Sequence, residues 1–250
     1  MFLAKWSHLL HKWLGLIIGL QVFFWVLGGL IFVTIPFQGI IKGGDYVHKI
    51  EANFEKRALY PISQIDEKGE MRSITTVNIS GQPMYKMTDA LGGQRIFNAL
   101  NGAVMPKPSE KEILAHAKFL YKGSGHIKSI QLLTQPQAKR LLIVDELYGK
   151  TGLWQVSYDD ALKSRLYFDV VTGEFHRFRN DAWVLYDLFW RLHVMDYENG
   201  ENFDHWLIKI AAGLSFFLIF SGIILLFYSR FLKKLRPVSY YLKRLIKVKT

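Results

Sequence analysis

Cysteine is absent from the 250-residue chain, which excludes disulfide staples, iron–sulfur clusters and thiolate zinc sites. Charge is absent where a soluble domain would carry it. No Asp, Glu, Lys or Arg occurs from Trp13 to Ile41, nor in the nineteen residues from Ile210 to Tyr228. At about 1.5 Å rise per residue, either run covers the ~30 Å hydrocarbon layer of a bilayer. Acids are absent from the last 21 residues, which hold eight bases: Arg230, Lys233, Lys234, Arg236, Lys243, Arg244, Lys247 and Lys249. With Lys5 and Lys12 these supply ten of the formal +11, leaving +1 elsewhere. The basicity is therefore positional, and a topology signal accounts for it better than nucleic acid does. It places both ends on the cytoplasmic side by the positive-inside rule, in contact with anionic lipid, and the central segment across the membrane. The first run is too long for the apolar core of a signal peptide and lacks an Ala-x-Ala-like site, so it reads as an uncleaved anchor.

Familiar catalytic patterns are missing too. There is no His-Glu-x-x-His, no Gly-x-Ser-x-Gly and no phosphate loop. Asp145-Glu146 and Asp159-Asp160 are neighbours in sequence, and on a strand such neighbours face opposite ways rather than forming an acid/base dyad.

The expected order is an interfacial segment (1–12), a first span (13–36), a central α+β domain (37–206) ending in an interfacial helix (181–194), a second span (207–229) and a basic tail (230–250). Within the first span Gly15 and Gly19 form G-x-x-x-G, continued by Val22, Val26 and Gly29 on nearly one face, with His11 a turn earlier. Such a stripe admits another helix or a flat cofactor. The second span has a matching face of Ala211, Ser215, Leu218 and Gly222, and Ser221-Gly222 can loosen the helix.

In the central domain, Pro61 opens a short helical candidate (PISQIDEK). Ser73–Ser80, PMYKM, IKSIQLL, RLLIVDELY and LWQVSY are strand-like. Ser109 and Glu112 make a capping box ahead of a helix over 110–121. Hairpins are expected at Asn101-Gly102 and Thr172-Gly173. The two hairpins form a weak repeat: Ile96–Met105 aligns with Tyr167–His176 at an offset of 71, matching Phe97 with Phe168, Asn98 with Asp169 and Gly102 with Gly173. Leu185, Leu188, Phe189 and Leu192 share one face of 181–194, beside Trp183, Tyr186 and Trp190.

Three stretches carry a resemblance: LHKWLGLIIGL (Leu10–Leu20), YFDVVTGEF (Tyr167–Phe175), and Leu192-His193 followed by WLIKIAAGL and Ser221-Gly222-Ile223. Together they resemble the PepSY-associated transmembrane family, whose larger members include iron-regulated membrane proteins and siderophore-iron reductases that bind haem. The resemblance implies an inner-membrane protein with a periplasmic PepSY-like domain, two transmembrane helices and antiparallel hairpins. It also implies haem b, with His11 and His193 at the positions of the family's histidines. Larger members have four or more spans, so a two-span chain is expected to work as a homo-oligomer or with another membrane subunit. The flavin-attachment run of related proteins is missing, since Ser124-Gly125 continues as His126-Ile127, and no covalent flavin is expected.

A membrane haem takes axial imidazoles from two helices at one depth. His11 and His193 are expected about ~30 Å apart on opposite sides of the hydrocarbon layer, and His8 and His11 share one helix face. This leaves His11 paired with another copy's His11, Gly15 and Gly19 making room, or His193 paired with His205, His48, Met195 or a partner. For His205 a polar headgroup position beside Trp206 is the competing account. Two functions are open: haem-mediated electron transfer toward an acceptor such as chelated ferric iron, or a non-catalytic module that binds and regulates or assembles a protein complex.

Overall fold

The computed structural model describes residues 2–48, 59–65 and 69–232. The chain divides into two compact units, Met1–Leu30 with Phe189–Thr250, and Ile31–Leu188.

The first unit is helical. Helix α1 (Phe2–Thr34) ends where Pro36 removes a donor, and a second long helix covers Trp206–Phe227. Both are long and apolar enough to cross a membrane, over Trp6–Thr34 and Trp206–Arg230. Their outward faces carry large apolar groups such as Leu16, Ile17, Leu20, Phe216 and Phe220, as lipid-facing surfaces do.

The packing face of α1 differs from the glycine stripe. Ser7, Leu14 and Ile18 are buried and His11 and Val22 half-buried, whereas Val26 is exposed and a Cβ at Gly19 or Gly29 would meet nothing within 4 Å. His11 rotates α1 toward Leu218 O and Ser221 on the Trp206–Phe227 helix, and the small-residue stripe turns partly away. On that second helix, Ala211 and Ser215 are buried as the small-residue face requires. Ile18, Met195 and Ala211 form the unit's buried cluster, with Val22, Trp25, Leu207, Leu214 and Leu218 around it.

The second unit holds two four-stranded antiparallel sheets. The first runs in the order β1 (Met71–Ile79), β2 (Gln82–Asp89), β3 (Gln94–Asn98) and β4 (Val104–Met105), and the second in the order β5 (Ile127–Leu133), β6 (Leu153–Tyr158), β7 (Arg165–Asp169) and β8 (Phe175–Arg179). Helix α2 (Glu110–Leu120) lies between them in sequence. Ser109 caps it: its hydroxyl accepts from Glu112 N–H while the Glu112 carboxylate accepts from Ser109 N–H, an arrangement worth about 1 kcal/mol. Ile113, Ala117 and Leu120 of α2 bury against Val156, Leu166, Phe168 and Phe178.

The sequence repeat has a structural counterpart. β3 and β7 are offset by the same 71 residues. In the hairpins that follow, Gly102 N–H donates to Asn98 O and Gly173 N–H to Asp169 O, at 2.8 and 2.9 Å. The side chains of Asn98 and Asp169 each accept from the amide two residues on, at 2.8 and 2.9 Å. Both glycines hold φ near +70°, where a Cβ is disfavoured.

Two expected elements differ. The helical candidate after Pro61 is a single 3₁₀ turn, Ile62–Gln64, and its residues 66–68 lie outside the described residues, as does the basic tail beyond Leu232. The strand expected over 140–148 is not formed. Arg140 and Val144 instead close a tight turn with reciprocal backbone bonds of 2.7 and 2.9 Å, and Leu141 and Leu142 take φ of 47° and 72°. Glu146, drawn inward to buried Arg165, overrides the β-propensity of the Leu-Leu-Ile-Val run.

Helix α3 (Asp181–Val194) begins in the second unit, where the Asn180 side chain accepts from Trp183 N–H at 2.7 Å. It ends in the first. The Trp206–Phe227 helix is α4.

Candidate functional site

His11 is the histidine most firmly placed in the helical unit. Its Nδ1 lies 3.1 Å from the Leu218 carbonyl oxygen and 3.1 Å from Ser221 Oγ on α4, and Ser221 Oγ itself donates to Leu218 O at 2.8 Å. A carbonyl oxygen only accepts, so the tautomer that satisfies this arrangement carries its hydrogen on Nδ1. The lone pair is then on Nε2, the state in which a neutral imidazole ligates a metal or takes a proton. Gly222 makes the approach possible: a Cβ there would stand 3.0 Å from His11 Cε1. Gly15 meets Leu218 Cδ1 at an ordinary 3.7 Å, Gly19 touches nothing on α4, and His8 is exposed.

His193 is set in a different surrounding. The last turn of α3 leaves carbonyls without intrahelical partners, and α1 supplies donors for two of them. Gln21 Nε2 donates to Leu192 O and Trp25 Nε1 to His193 O, each at 2.8 Å. The His193 ring lies 6.0 Å from the Trp25 ring. Met195 follows with φ of 55°, the left-handed position after a helix end where glycine is usual, and its side chain is in the buried cluster. Asp196 then gathers the amides of Glu198, Asn199, Glu201 and Asn202 at 3.0 to 3.4 Å, folding the YENGEN block into a turn. Arg191 is wholly buried and donates to Glu198 O at 2.8 Å.

These contacts revise the spacing of the histidines. His193 is level with Trp25, fourteen residues along α1 from His11, or about 21 Å at ~1.5 Å per residue, less than the full hydrocarbon thickness. The two still cannot share one iron. His205 caps α4, its Nδ1 accepting from Leu207 N–H at 3.3 Å, which puts its proton on Nε2 and leaves that nitrogen a donor. Its ring lies 5.9 Å from Trp206. Among the described residues no group of three or more His, Asp or Glu is arranged to hold a metal ion.

A family model described as the PepSY-associated TM region matches residues 8–243. The chain belongs to that family. It is an α+β membrane protein with two candidate spans flanking the two sheets. No curated protein and no solved structure gives a significant match.

Within the second unit of this PepSY-associated protein, His116 of α2 ties together the two halves of the repeat. It is buried, its Nδ1 donating to Gly173 O at 3.1 Å and its Nε2 accepting from Ser80 N–H at 3.4 Å. Beside it opens a cavity of about 230 Å³ lined by Ile79, Met84, Ile96, Met105, Pro108 and Ile113 among others. Lys86 of β2 also reaches Glu174 in the β7–β8 turn at 2.6 Å.

Buried His116 and half-buried His176 give this PepSY-associated fold a pH dependence. Burial lowers the pKa of His116. Burial, with Lys150 and Arg177 adding to it, lowers that of His176 to about 4, and its Nε2 is buried without a hydrogen-bond partner. Unfolded histidine titrates near ~6.5, so between there and about 4 the unfolded chain binds more protons than the fold. Stability from these groups is complete above about 6.5 and declines as pH falls below it, through about 4 for His176. Thermal unfolding of the central unit is expected at lower temperature near about pH 4.5 than near about pH 7.5, with His176→Gln flattening the dependence. An unchanged slope in that variant would remove His176 from the account.

The sequence named His11 but not its α4 partners, which lie more than 200 residues away. Gln21 was a readable signal, being a polar side chain inside an uncharged run. Its purpose shows only once α3 is placed beside it.

Proposed function

We propose that the protein is a haem-binding electron-transfer component of a bacterial inner membrane. It works as an oligomer or with a partner subunit and passes electrons toward an acceptor such as chelated ferric iron on the periplasmic side, where the central unit lies. The observation that carries this reading is the state of His11: Nδ1 is held by α4 and Nε2 is left with its lone pair. Bound haem would supply a one-electron carrier. The chain's own part is to fix the imidazole through Leu218 O and Ser221, with Gly222 letting the ring approach α4.

In the helical unit His11 is the imidazole that α4 fixes, His8 standing exposed one turn earlier on the same face and His193 about 21 Å along α1 by the ~1.5 Å helical rise. The second axial ligand therefore comes from another copy's His11 or another subunit. The family resemblance supplies the expectation of haem b and of ferric-chelate chemistry, and the crowding of bases at the chain ends supports the orientation.

The test is an absorption spectrum. Protein purified from membranes of haem-replete cells is expected to show a Soret band that shifts on reduction with dithionite, with an imidazole-type spectrum. A colourless preparation would refute the reading. The second reading, a non-catalytic module that binds and regulates or assembles a membrane or periplasmic complex, draws on the cavity beside His116. Colourless protein that co-purifies with a partner would favour it.

A further inference from the structure

The turn at 140–144 puts two leucines where water should exclude them. Leu142 is 90% exposed and Leu141 55%, and both have left-handed backbone, which a side chain with a Cβ adopts at a cost. A turn that needed only to reverse the chain would be better served by glycine or asparagine at these two places. Apolar side chains held in strained backbone at a turn tip mark a place where the surroundings compensate.

The turn's anchorage identifies those surroundings. Ile143 and Val144 pack into the cluster of Ile41, Trp183 and Val184, which also receives Ile35, Ile40 and Tyr186. The Tyr186 ring lies 4.7 Å from Phe32 and 5.6 Å from Phe37. All of these belong to the second unit. Phe32 is in the last turn of the candidate span that ends at Thr34, and the uncharged run continues to Ile41. The residues next to the leucine pair thus share an apolar cluster with the stretch that follows the candidate span. Lys139 and Lys150 flank it, both exposed, with Tyr148 exposed as well, the combination found at headgroup level beside inserted apolar groups.

We propose that Leu141 and Leu142 insert into the membrane leaflet facing the central unit, so that this unit rests on lipid at a second point besides α1. The occupant is phospholipid rather than protein, because a two-residue tip falls far short of the ~800 Å² per partner that a stable protein contact buries. Leu91 supplies the contrast. It is 98% exposed at the β2–β3 turn, beside glycines, and belongs to no buried cluster among the described residues. It is expected to stay in water. The proposal is independent of haem.

The absence of cysteine makes the test direct. Leu142→Cys, Leu141→Cys and Leu91→Cys each create a single attachment point for a nitroxide on the full chain, reconstituted in vesicles of phosphatidylethanolamine and phosphatidylglycerol. Electron paramagnetic resonance then compares collisions with oxygen, which concentrates in lipid, and with a water-soluble nickel chelate. The oxygen-to-nickel ratio at positions 141 and 142 is expected to exceed that at 91 several-fold. A ratio equal to that at 91 would place the tip in water and overturn the proposal. Labels at 141 and 142 reached by neither collider would place it against protein and overturn it equally.

Discussion

Glu146→Ala is expected to lower the stability of the central unit by about 3–5 kcal/mol, the cost of stranding a buried charge. Glu146 is buried and accepts from four donors. Oε1 takes Arg165 Nη2 at 2.9 Å and Arg140 Nη1 at 3.0 Å, and Oε2 takes Arg165 Nε at 2.9 Å and the Tyr167 hydroxyl at 2.8 Å. Its backbone carbonyl accepts from Arg179 Nε at 3.1 Å and Arg177 Nη1 at 3.4 Å. Alanine removes both carboxylate oxygens and leaves Arg165, whose side chain is 10% exposed, with Asp181 as its remaining ion partner at 3.1 Å. Chemical denaturation followed by tryptophan fluorescence measures the loss. The contrast is Lys86→Ala, which breaks a partly exposed pair with Glu174 and is expected to cost no more than about 1 kcal/mol. Equal losses in the two variants would show that burial does not distinguish these pairs. Because the carboxylate also draws the 138–150 loop inward, Glu146→Ala is expected to free the Leu141–Leu142 tip from its fixed position.

What the sequence made legible was what short-range chemistry decides. Missing charge marked both spans, Ser109 and Glu112 marked the start of α2, and the Asn98–Gly102 and Asp169–Gly173 spacings marked the turns of a repeated hairpin. What it concealed depended on partners far along the chain. Leu-Leu-Ile-Val reads as a strand until Arg165, nineteen residues after Glu146, pulls the segment into a turn. Gly15 and Gly19 read as the packing face of α1 until Ser221 and Leu218 O, over 200 residues away, draw His11 toward α4. His193 reads as ~30 Å from His11 until Gln21 and Trp25 are seen to satisfy the end of α3. In each instance a buried or half-buried polar group chose its partner, and the apolar pattern alone could not name it.

His11→Ala is expected to remove essentially all the haem bound at the His11 level, because His11 is the imidazole that α4 holds in place there. His8→Ala, at an exposed position, is expected to leave the Soret absorbance per protein unchanged. Ser221→Ala tests the partner rather than the ligand: the Leu218 carbonyl still accepts from Nδ1, so loss of affinity should stay within the roughly 10–100-fold seen when a group hydrogen-bonded to a metal-ligating histidine is removed. Gly222→Val places a side chain where a Cβ alone stands 3.0 Å from His11 Cε1, and it should displace the ring and lower haem content more than Ser221→Ala does. The buried contact among Ile18, Met195 and Ala211 is untouched by all four substitutions, so helix packing can be checked separately by thermal unfolding. Undiminished haem in His11→Ala would reduce the Nδ1 bond to an ordinary interhelical hydrogen bond, worth about 0.6 kcal/mol in a membrane, and the iron would have to be held elsewhere.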